Sequence, residues 1–216
     1  MKKNLLPAIC LFAAANTIQA SSAVTGSALF DSGPIGIFGT WTINFTSTDP
    51  AYKLTSVNFN MSPTSVFLDT TLAAPGALLS ADFLPISGGA ATGYSSITPN
   101  TAGLRNGATA YTLNFNDFGT GESFRYELDV DKCSSQTFTC STVNGADIAG
   151  ASVTFNFGAF GQAYSKTVAF TDNTATSRND FDAIASMSAE VPEPGTWGLV
   201  GSTLVGLGLL RRKRQA

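Results

Sequence analysis

Large apolar residues alternate with polar residues in several short segments of the chain. In Thr40–Thr46 the side chains of Trp41, Ile43 and Phe45 occupy every second position, while threonine and asparagine occupy the others. A period of two places the apolar set on one face of a β-strand and the polar set on the other. This segment is therefore predicted to be a half-buried strand.

The same alternation recurs along the rest of the chain. The further apolar sets are Val57, Phe59 and Met61; Tyr111, Leu113 and Phe115; Phe124, Tyr126, Leu128 and Val130; Val153, Phe155 and Phe157; and, more weakly, Val66 with Leu68 and Val168 with Phe170. Residues that favour turns separate these sets. Many short strands without intervening helices predict an all-β fold, a single antiparallel β-sandwich of immunoglobulin-like or jelly-roll topology. The less patterned stretch 75–106 is expected to form long loops.

The first 20 residues have the three parts of a secretory signal peptide. Lys2 and Lys3 precede an apolar run from Leu5 to Ala15, and the small residue Ala20 ends the segment. Cleavage is expected after Ala20, and the residues that follow are enough for one domain with a hydrophobic core. The predicted organisation is a signal peptide at 1–20, a β-sandwich domain at 21–190 and a C-terminal segment at 191–216.

The C-terminal segment has a distinct charge pattern. From Trp197 to Leu210 no residue is charged. Four cations follow this apolar run: Arg211, Arg212, Lys213 and Arg214. As a helix the run would extend roughly 21 Å, which is shorter than the ~30 Å hydrocarbon core of a bilayer. The cations would hold its end at the cytoplasmic surface. The prediction is an apolar helix that serves as a marginal, temporary membrane anchor.

A proline-rich turn, Val191-Pro192-Glu193-Pro194-Gly195, stands directly before this apolar run. The turn, the short Gly-rich apolar span and the basic cluster, in this order, resemble the PEP-CTERM sorting signal of Gram-negative bacteria. The resemblance covers residues 191–216 only. It implies that Pro192, Glu193 and Pro194 form the recognition motif of an exosortase, which is a membrane protease-transpeptidase. Proline excludes helix, so the motif is expected to be extended where such a protease binds it.

The resemblance also implies a route and a setting. The protein would insert transiently into the inner membrane and then pass to the cell surface or outside, commonly in bacteria that make exopolysaccharide. The chain has 12 basic and 15 acidic residues, and the six cations at its two ends are half of the basic ones. The remainder is therefore acidic, which argues against nucleic acid and anionic lipid as partners. Divalent cations and a neutral polysaccharide are compatible with this charge.

The chain contains no histidine, which removes Ser-His-Asp and Cys-His catalysis and every His-containing metal site. The densest acidic group is Glu127, Asp129 and Asp131, which alternation places on one face of one strand. The favoured interpretation is a solvated face of an amphipathic strand. A calcium site is second, since carboxylates are hard oxygen ligands, and a glycosidase pair is third. No enzymatic activity is expected, and calcium is the one cofactor under consideration.

Two cysteines, Cys133 and Cys140, lie in the body of the chain within Lys132–Ser141, which is interpreted as a loop between strands. In an oxidising compartment two such thiols are expected to form a disulfide. A structural zinc site would need four ligands, and the spacing is not Cys-x-x-Cys. The disulfide is therefore the preferred interpretation.

Aromatic residues supply a last set of candidates. Trp41, Tyr111 and Tyr126 lie on the apolar faces of their predicted strands and are assigned to the core. The tyrosines in or near loops, which could stack on sugar rings, are Tyr52, Tyr94 and Tyr164. The leading hypothesis is an exported, non-enzymatic protein of the cell surface or the extracellular matrix, associated with exopolysaccharide or biofilm. The alternative is a carbohydrate- or calcium-binding adhesion module.

Overall fold

The computed structural model describes residues 21–31, 39–70, 81–133, 140–172 and 182–192. Strands account for 63% of the described residues and helices for 6%. The prediction of an all-β fold is therefore confirmed. The predicted signal peptide at 1–20 lies outside the described residues. The same is true of Glu193, Pro194, the apolar run and the four terminal cations.

The strands in chain order are β1 (Ser21–Asp31), β2 (Thr40–Ser47), β3 (Lys53–Asn60), β4 (Val66–Leu68), β5 (Leu84–Ser87), β6 (Tyr94–Thr98), β7 (Ala110–Phe118), β8 (Glu122–Glu127), β9 (Val130–Cys133), β10 (Cys140–Thr142), β11 (Ser152–Ala159), β12 (Gln162–Ala169), β13 (Thr171–Asp172) and β14 (Asp182–Pro192). Two single-turn helices accompany them, α1 (Ala102–Arg105) and α2 (Gly145–Ile148).

The strands form three sheets within the described residues. The six-stranded sheet has the order β13-β14-β1-β2-β8-β5, and the five-stranded sheet has the order β12-β11-β3-β7-β6. A small third sheet has the order β10-β9-β4. Pairs such as β2 with β8 and β3 with β7 are antiparallel, which confirms the predicted strand direction.

Side chains from the two larger sheets meet in one apolar core. Trp41 of β2 is fully buried, and its ring centroid lies 5.5 Å from that of Phe59 and 6.2 Å from that of Tyr111, on β3 and β7. The hydroxyl oxygens of Tyr111 and Tyr126 are 2.8 Å apart and both residues are buried. These contacts give the two sheets a sandwich-like arrangement. The assignment of Trp41, Tyr111 and Tyr126 to the core is confirmed.

The alternating segments coincide with strands, and their apolar faces are buried. Trp41, Ile43 and Phe45 of β2 are each 0% exposed, whereas Asn44 and Thr46 are exposed. The expectation of long loops in 75–106 is wrong for part of that stretch. Strands β5 and β6 and helix α1 lie within residues 84–105. Leu84 and Ile86 of β5 are 57% and 43% exposed, so this edge strand has no buried apolar face. Prediction from alternation depends on such a face, and it therefore missed β5.

The predicted continuous strand from Phe124 to Val130 is also wrong. Strand β8 ends at Glu127 in the six-stranded sheet, and β9 begins at Val130 in the three-stranded sheet. Both Phe124 and Val130 are buried as expected. The alternation of buried residues therefore continues from β8 into β9 although the two strands belong to different sheets. The sequence pattern does not indicate the break between the two strands, because the period of two is not interrupted there.

Candidate carboxylate site and C-terminal motif

The candidate acidic residues lie where the chain passes from β8 to β9. The backbone N–H of Leu128 donates to the carbonyl of Gly39 over 3.3 Å, and the carbonyl of Leu128 accepts from Nε1 of Trp41 over 3.1 Å. The next N–H, that of Asp129, donates to the carbonyl of Ala81 over 3.3 Å. The two linking residues are therefore fixed by hydrogen bonds, although they belong to no strand.

Strand β9 pairs with β4, and this pairing brings a third carboxylate to the candidates. Phe67 is opposite Asp131 and Leu68 is opposite Val130. The N–H of Asp69 donates to the carbonyl of Asp129 over 3.1 Å, which continues the pairing by one residue. Because opposite residues of paired strands share a face, the side chains of Asp69, Asp129 and Asp131 lie on the same face of this ladder.

All three of these aspartates are buried. Their exposed fractions are 0% for Asp69, 5% for Asp129 and 6% for Asp131. The interpretation of Asp129 and Asp131 as part of a solvated strand face is therefore wrong. On the opposite face Leu68 and Val130 belong to the core, so this part of the chain is buried on both sides. We refer to Asp69, Asp129 and Asp131 as the carboxylate cluster.

Burial changes the protonation of the carboxylate cluster. It is the main cause that raises the pKa of Asp129 to about 8, with further contributions from the charges of Asp131 and Asp69. Hydrogen bonds from the backbone at Val130 and Ala81 act in the opposite direction. Burial, the charge of Asp69 and a hydrogen bond with Asp69 raise the pKa of Asp131 to about 6. At neutral pH Asp129 therefore retains a proton that an exposed carboxylate would lose.

One carboxylate oxygen in the cluster is buried without a hydrogen bond. Oδ2 of Asp129 is buried and has no hydrogen-bond partner among the described residues. The ion pairs found among the described residues involve other acidic side chains; they are Lys53–Asp117, Arg105–Asp82 and Lys132–Asp147. A buried carboxylate oxygen without a donor or a cation is costly.

The cluster differs from the predicted set by one residue. Glu127 ends β8 opposite Thr40 and Leu84 in the six-stranded sheet, and it is not among the groups that shift the pKa of Asp129 or Asp131. Asp69 takes its place, and sequence spacing gave no sign of it because it is distant along the chain. In the described ranges no group of three or more His, Cys, Asp or Glu is arranged so that it could hold a metal ion.

Asp147, the acidic residue next in sequence to the candidates, has a structural role. Its backbone N–H donates to Oδ1 of Asn144 over 3.0 Å, and its Oδ2 accepts from the N–H of Asn144 over 3.1 Å. This reciprocal pair caps the start of α2. Oδ1 of Asp147 also accepts from Nζ of Lys132 at 2.5 Å, which ties the helix to β9.

The two cysteines are backbone neighbours. Cys133 ends β9, Cys140 begins β10, and the register places them opposite each other. Cα atoms of opposite residues in an antiparallel pair are about 4.5–5.5 Å apart, a separation that a disulfide spans. The side chains of both residues lie outside what the structure describes, so the disulfide stays a prediction.

The tyrosines proposed for sugar stacking have different environments. Tyr52 lies directly before β3, outside any strand as predicted, but it is 1% exposed and belongs to the core, so its ring is not available to stack on a sugar. Tyr94 and Tyr164 are half-buried, and each packs on a core phenylalanine, Phe124 at 5.1 Å and Phe157 at 5.7 Å between centroids. A different groove, of about 390 Å³, is lined by Thr25, Ser27, Asn44, Thr46 and Ser186, with Gly26, Phe45 and Met187.

The C-terminal candidate motif begins inside the last strand. Strand β14 runs through Glu190 and Val191 to Pro192, and Val191 is 2% exposed. A family model for the PEP-CTERM protein-sorting motif matches residues 190–214. The chain thus carries a PEP-CTERM motif. This finding agrees with the resemblance of Pro192, Glu193, Pro194 and the segment that follows them.

The PEP-CTERM motif indicates an exported protein with a sorting signal. Comparisons of the whole chain with curated proteins and with solved structures found no match. Among the described residues no helix is long and apolar enough to cross a bilayer. The apolar run between Trp197 and Leu210, which is the predicted anchor, lies outside them.

Proposed function

We propose that this protein is a non-enzymatic component of the cell surface or the extracellular matrix, in association with exopolysaccharide or biofilm. The observation that carries the proposal is the match of residues 190–214 to the PEP-CTERM motif. The motif is a signal for processing by exosortase-type machinery, and an exosortase is the proposed partner at the inner membrane. The body would be a β-sandwich that the signal delivers.

The proposed processing follows from the chemistry of the C-terminal segment. Pro192 and Pro194 would keep the backbone extended, Glu193 would supply a charge outside the bilayer, and the apolar run is short for a permanent span. The basic residues Arg211 to Arg214 resist translocation. A protease can therefore act while the chain is held in the membrane, and the body is then released to the surface.

The test is intact-mass analysis of the surface and membrane fractions of the native host. Mature protein should lack Leu199–Ala216. A Glu193→Ala variant should accumulate as a longer, membrane-bound form, because the recognition charge is missing. Asp117→Ala is the control, since it removes an acid whose side chain is 69% exposed and which lies outside the matched motif, so this variant should be processed normally. Wild-type protein at the surface that retains Ala216 would contradict the proposal.

The alternative role, a carbohydrate-binding adhesion module, has one specific observation in its favour. The groove on the β14-β1-β2 part of the six-stranded sheet presents hydroxyl and amide groups from Thr25, Ser27, Asn44, Thr46 and Ser186. Such groups pair with sugar hydroxyls, although no exposed aromatic ring lies among these lining residues. Binding on a glycan array that is lost in an Asn44→Ala variant would favour this role over the first.

A further inference from the structure

One edge of the five-stranded sheet differs from the other edges of the two larger sheets. In the described residues β13 has only two residues, β5 has four residues with Pro85 and a register shift, and β6 has five residues with a register shift. Short length, proline and irregular register each hinder the pairing of an edge strand with another chain. Strand β12 has eight residues, no proline and an unbroken register with β11. It is therefore the edge best suited to accept a further strand.

Strand β12 also lies largely outside the apolar core. Six of its eight residues are exposed, and the other two, Tyr164 and Val168, are half-buried. Within the described ranges β12 pairs with β11 alone. Alternate N–H and C=O groups along β12 are therefore directed away from the sheet. Such a row of backbone groups is a template for an added strand.

We propose that β12 pairs with β12 of a second copy of this chain. The two strands are antiparallel and related by a two-fold axis through Ser165, so that the two five-stranded sheets become one sheet of ten strands. A two-fold axis makes such an interface self-complementary, since each contact occurs twice. The residues that then lie opposite each other are Tyr164 and Lys166, Ala163 and Thr167, and Gln162 and Val168.

Lys166 selects this register. It is the one charged residue of β12, and a lysine on an edge strand disfavours any pairing that places it against a like charge. An axis through Lys166 would set the two lysines directly opposite each other. With the axis at Ser165 each lysine instead lies opposite the ring of Tyr164, which is a cation–π partner. The two lysines are then about 7–8 Å apart on the diagonal, a separation at which salt screens them. The lysine thus restricts the register without preventing the pairing.

An exposed phenylalanine beside β12 gains a partner in the same register. Phe160 stands in the two-residue turn between β11 and β12 and is 60% exposed. Its φ of 54° is the one positive value at a non-glycine residue within the described ranges, and asparagine or glycine would fit this turn with less strain. The pairing brings Phe160 of each copy to the Ala169 end of β12 in the other copy, where the ring covers apolar surface. The second copy therefore accounts for a large apolar side chain that is both exposed and strained in the first.

The register is tested by cysteine substitution in the full-length protein, in detergent and under mild oxidation. The two residues at position 165 face each other across the axis, with Cα atoms about 4.5–5.5 Å apart. A disulfide spans this separation, so Ser165→Cys should give a covalent dimer. Thr167→Cys is the matched control, because position 167 is exposed on the same face but its two copies would be roughly 14 Å apart. Mass spectrometry of unreduced peptides should find the introduced cysteines joined in the first variant only. Equal cross-linking of both variants, or of neither, would overturn the proposal.

The association itself is measured without a cross-link. One strand pair with two flanking rings is expected to bury less than the ~1,200 Å² of stable complexes. Sedimentation equilibrium from about 1 µM to 1 mM should therefore show a weak monomer–dimer equilibrium. Phe160→Asn should weaken the dimer at least tenfold and unfold at nearly the same temperature as wild type, because relief of the turn offsets the lost contact with Tyr52. Ile86→Asn is the matched control, since it removes an exposed apolar side chain from the other larger sheet and should leave the dimer unchanged.

Hydrogen exchange locates the contact in the chain. The outward amides of β12 should exchange more slowly at high than at low protein concentration. A monomer at every concentration would contradict the proposal. Amides of β12 that are equally protected at all concentrations would also contradict it, because another segment of the same chain would then cover this edge.

Discussion

Replacement of Asp129 by asparagine is expected to make the stability of the fold less sensitive to pH. Burial, with the charges of Asp131 and Asp69, raises the pKa of Asp129 from 3.8 to about 8. Between these values the folded chain holds a proton that the unfolded chain has lost. Because the folded state binds more protons, the free energy of unfolding falls as the pH rises from about 4 to about 8, and it is level above that range.

The pKa of Asp129 sets an upper limit on the change in the free energy of unfolding, and the expected change is smaller than this limit. One pKa unit corresponds to about 1.4 kcal/mol, so the range from 3.8 to about 8 gives a ceiling near 6 kcal/mol. We expect roughly 2–3 kcal/mol, because the three carboxyl groups titrate together and proteins screen charge better than a dry interior would. Asparagine retains an oxygen that can accept from the backbone at Val130 and Ala81, and it carries no charge at any pH.

The assay is urea unfolding of the full-length protein in detergent with a chelator present, followed by circular dichroism at pH 4.5, 6, 7 and 8.5. At pH 4.5 Asp129→Asn and wild type should have similar free energies of unfolding. At pH 8.5 the variant should be the more stable by the amount above. Asp117→Asn should follow wild type at every pH, because its carboxylate is exposed. If wild type and Asp129→Asn differ by a constant amount across the series, the argument from burial is refuted.

Two further predictions concern other pairs. Tyr111→Phe and Tyr126→Phe should each lower the free energy of unfolding by about 1–2 kcal/mol, because each leaves the other buried hydroxyl without its partner at 2.8 Å. The double variant should lose less than the sum, and additive losses in thermal unfolding would contradict the pairing. Cys133 and Cys140 should be joined by a disulfide in protein from the native host. Mass spectrometry of unreduced peptides tests this, and two free thiols would reject it.

The strands with large apolar residues could be predicted from the sequence, whereas β1 could not. Its residues alternate between buried and less buried positions along the whole strand, but Ser22, Gly26 and Ala28 occupy buried positions with little or no apolar side chain. The reason is crowding: a Cβ at Gly26 would lie 3.0 Å from Cε of Met187 and 3.2 Å from the ring of Phe155. Alternation of large apolar and polar residues cannot be recognised in the sequence of a strand whose neighbours require small residues at the buried positions.

The carboxylate cluster shows a second limit of sequence reasoning. Local alternation placed Asp129 and Asp131 on one face correctly, since that inference depends on neighbours two residues apart. Whether that face is exposed to solvent or buried depends on the segments that pack over it. Whether Glu127 or Asp69 lies beside Asp129 and Asp131 depends on which strands pair with each other. Pairing between distant segments is a property of the whole fold, and a single strand does not encode it.

The junction between the body and the PEP-CTERM motif restricts where processing can occur. Residues 190–192 belong both to β14 and to the matched motif. Val191 is 2% exposed and is part of the core, so a cut before it would remove a buried valine that contributes roughly 1.5–3 kcal/mol. Pro192, which lacks an N–H group, cannot donate to a ladder and is suited to end the strand. A cut after Pro192 leaves β14 complete, so the fold itself favours processing on the C-terminal side of this residue.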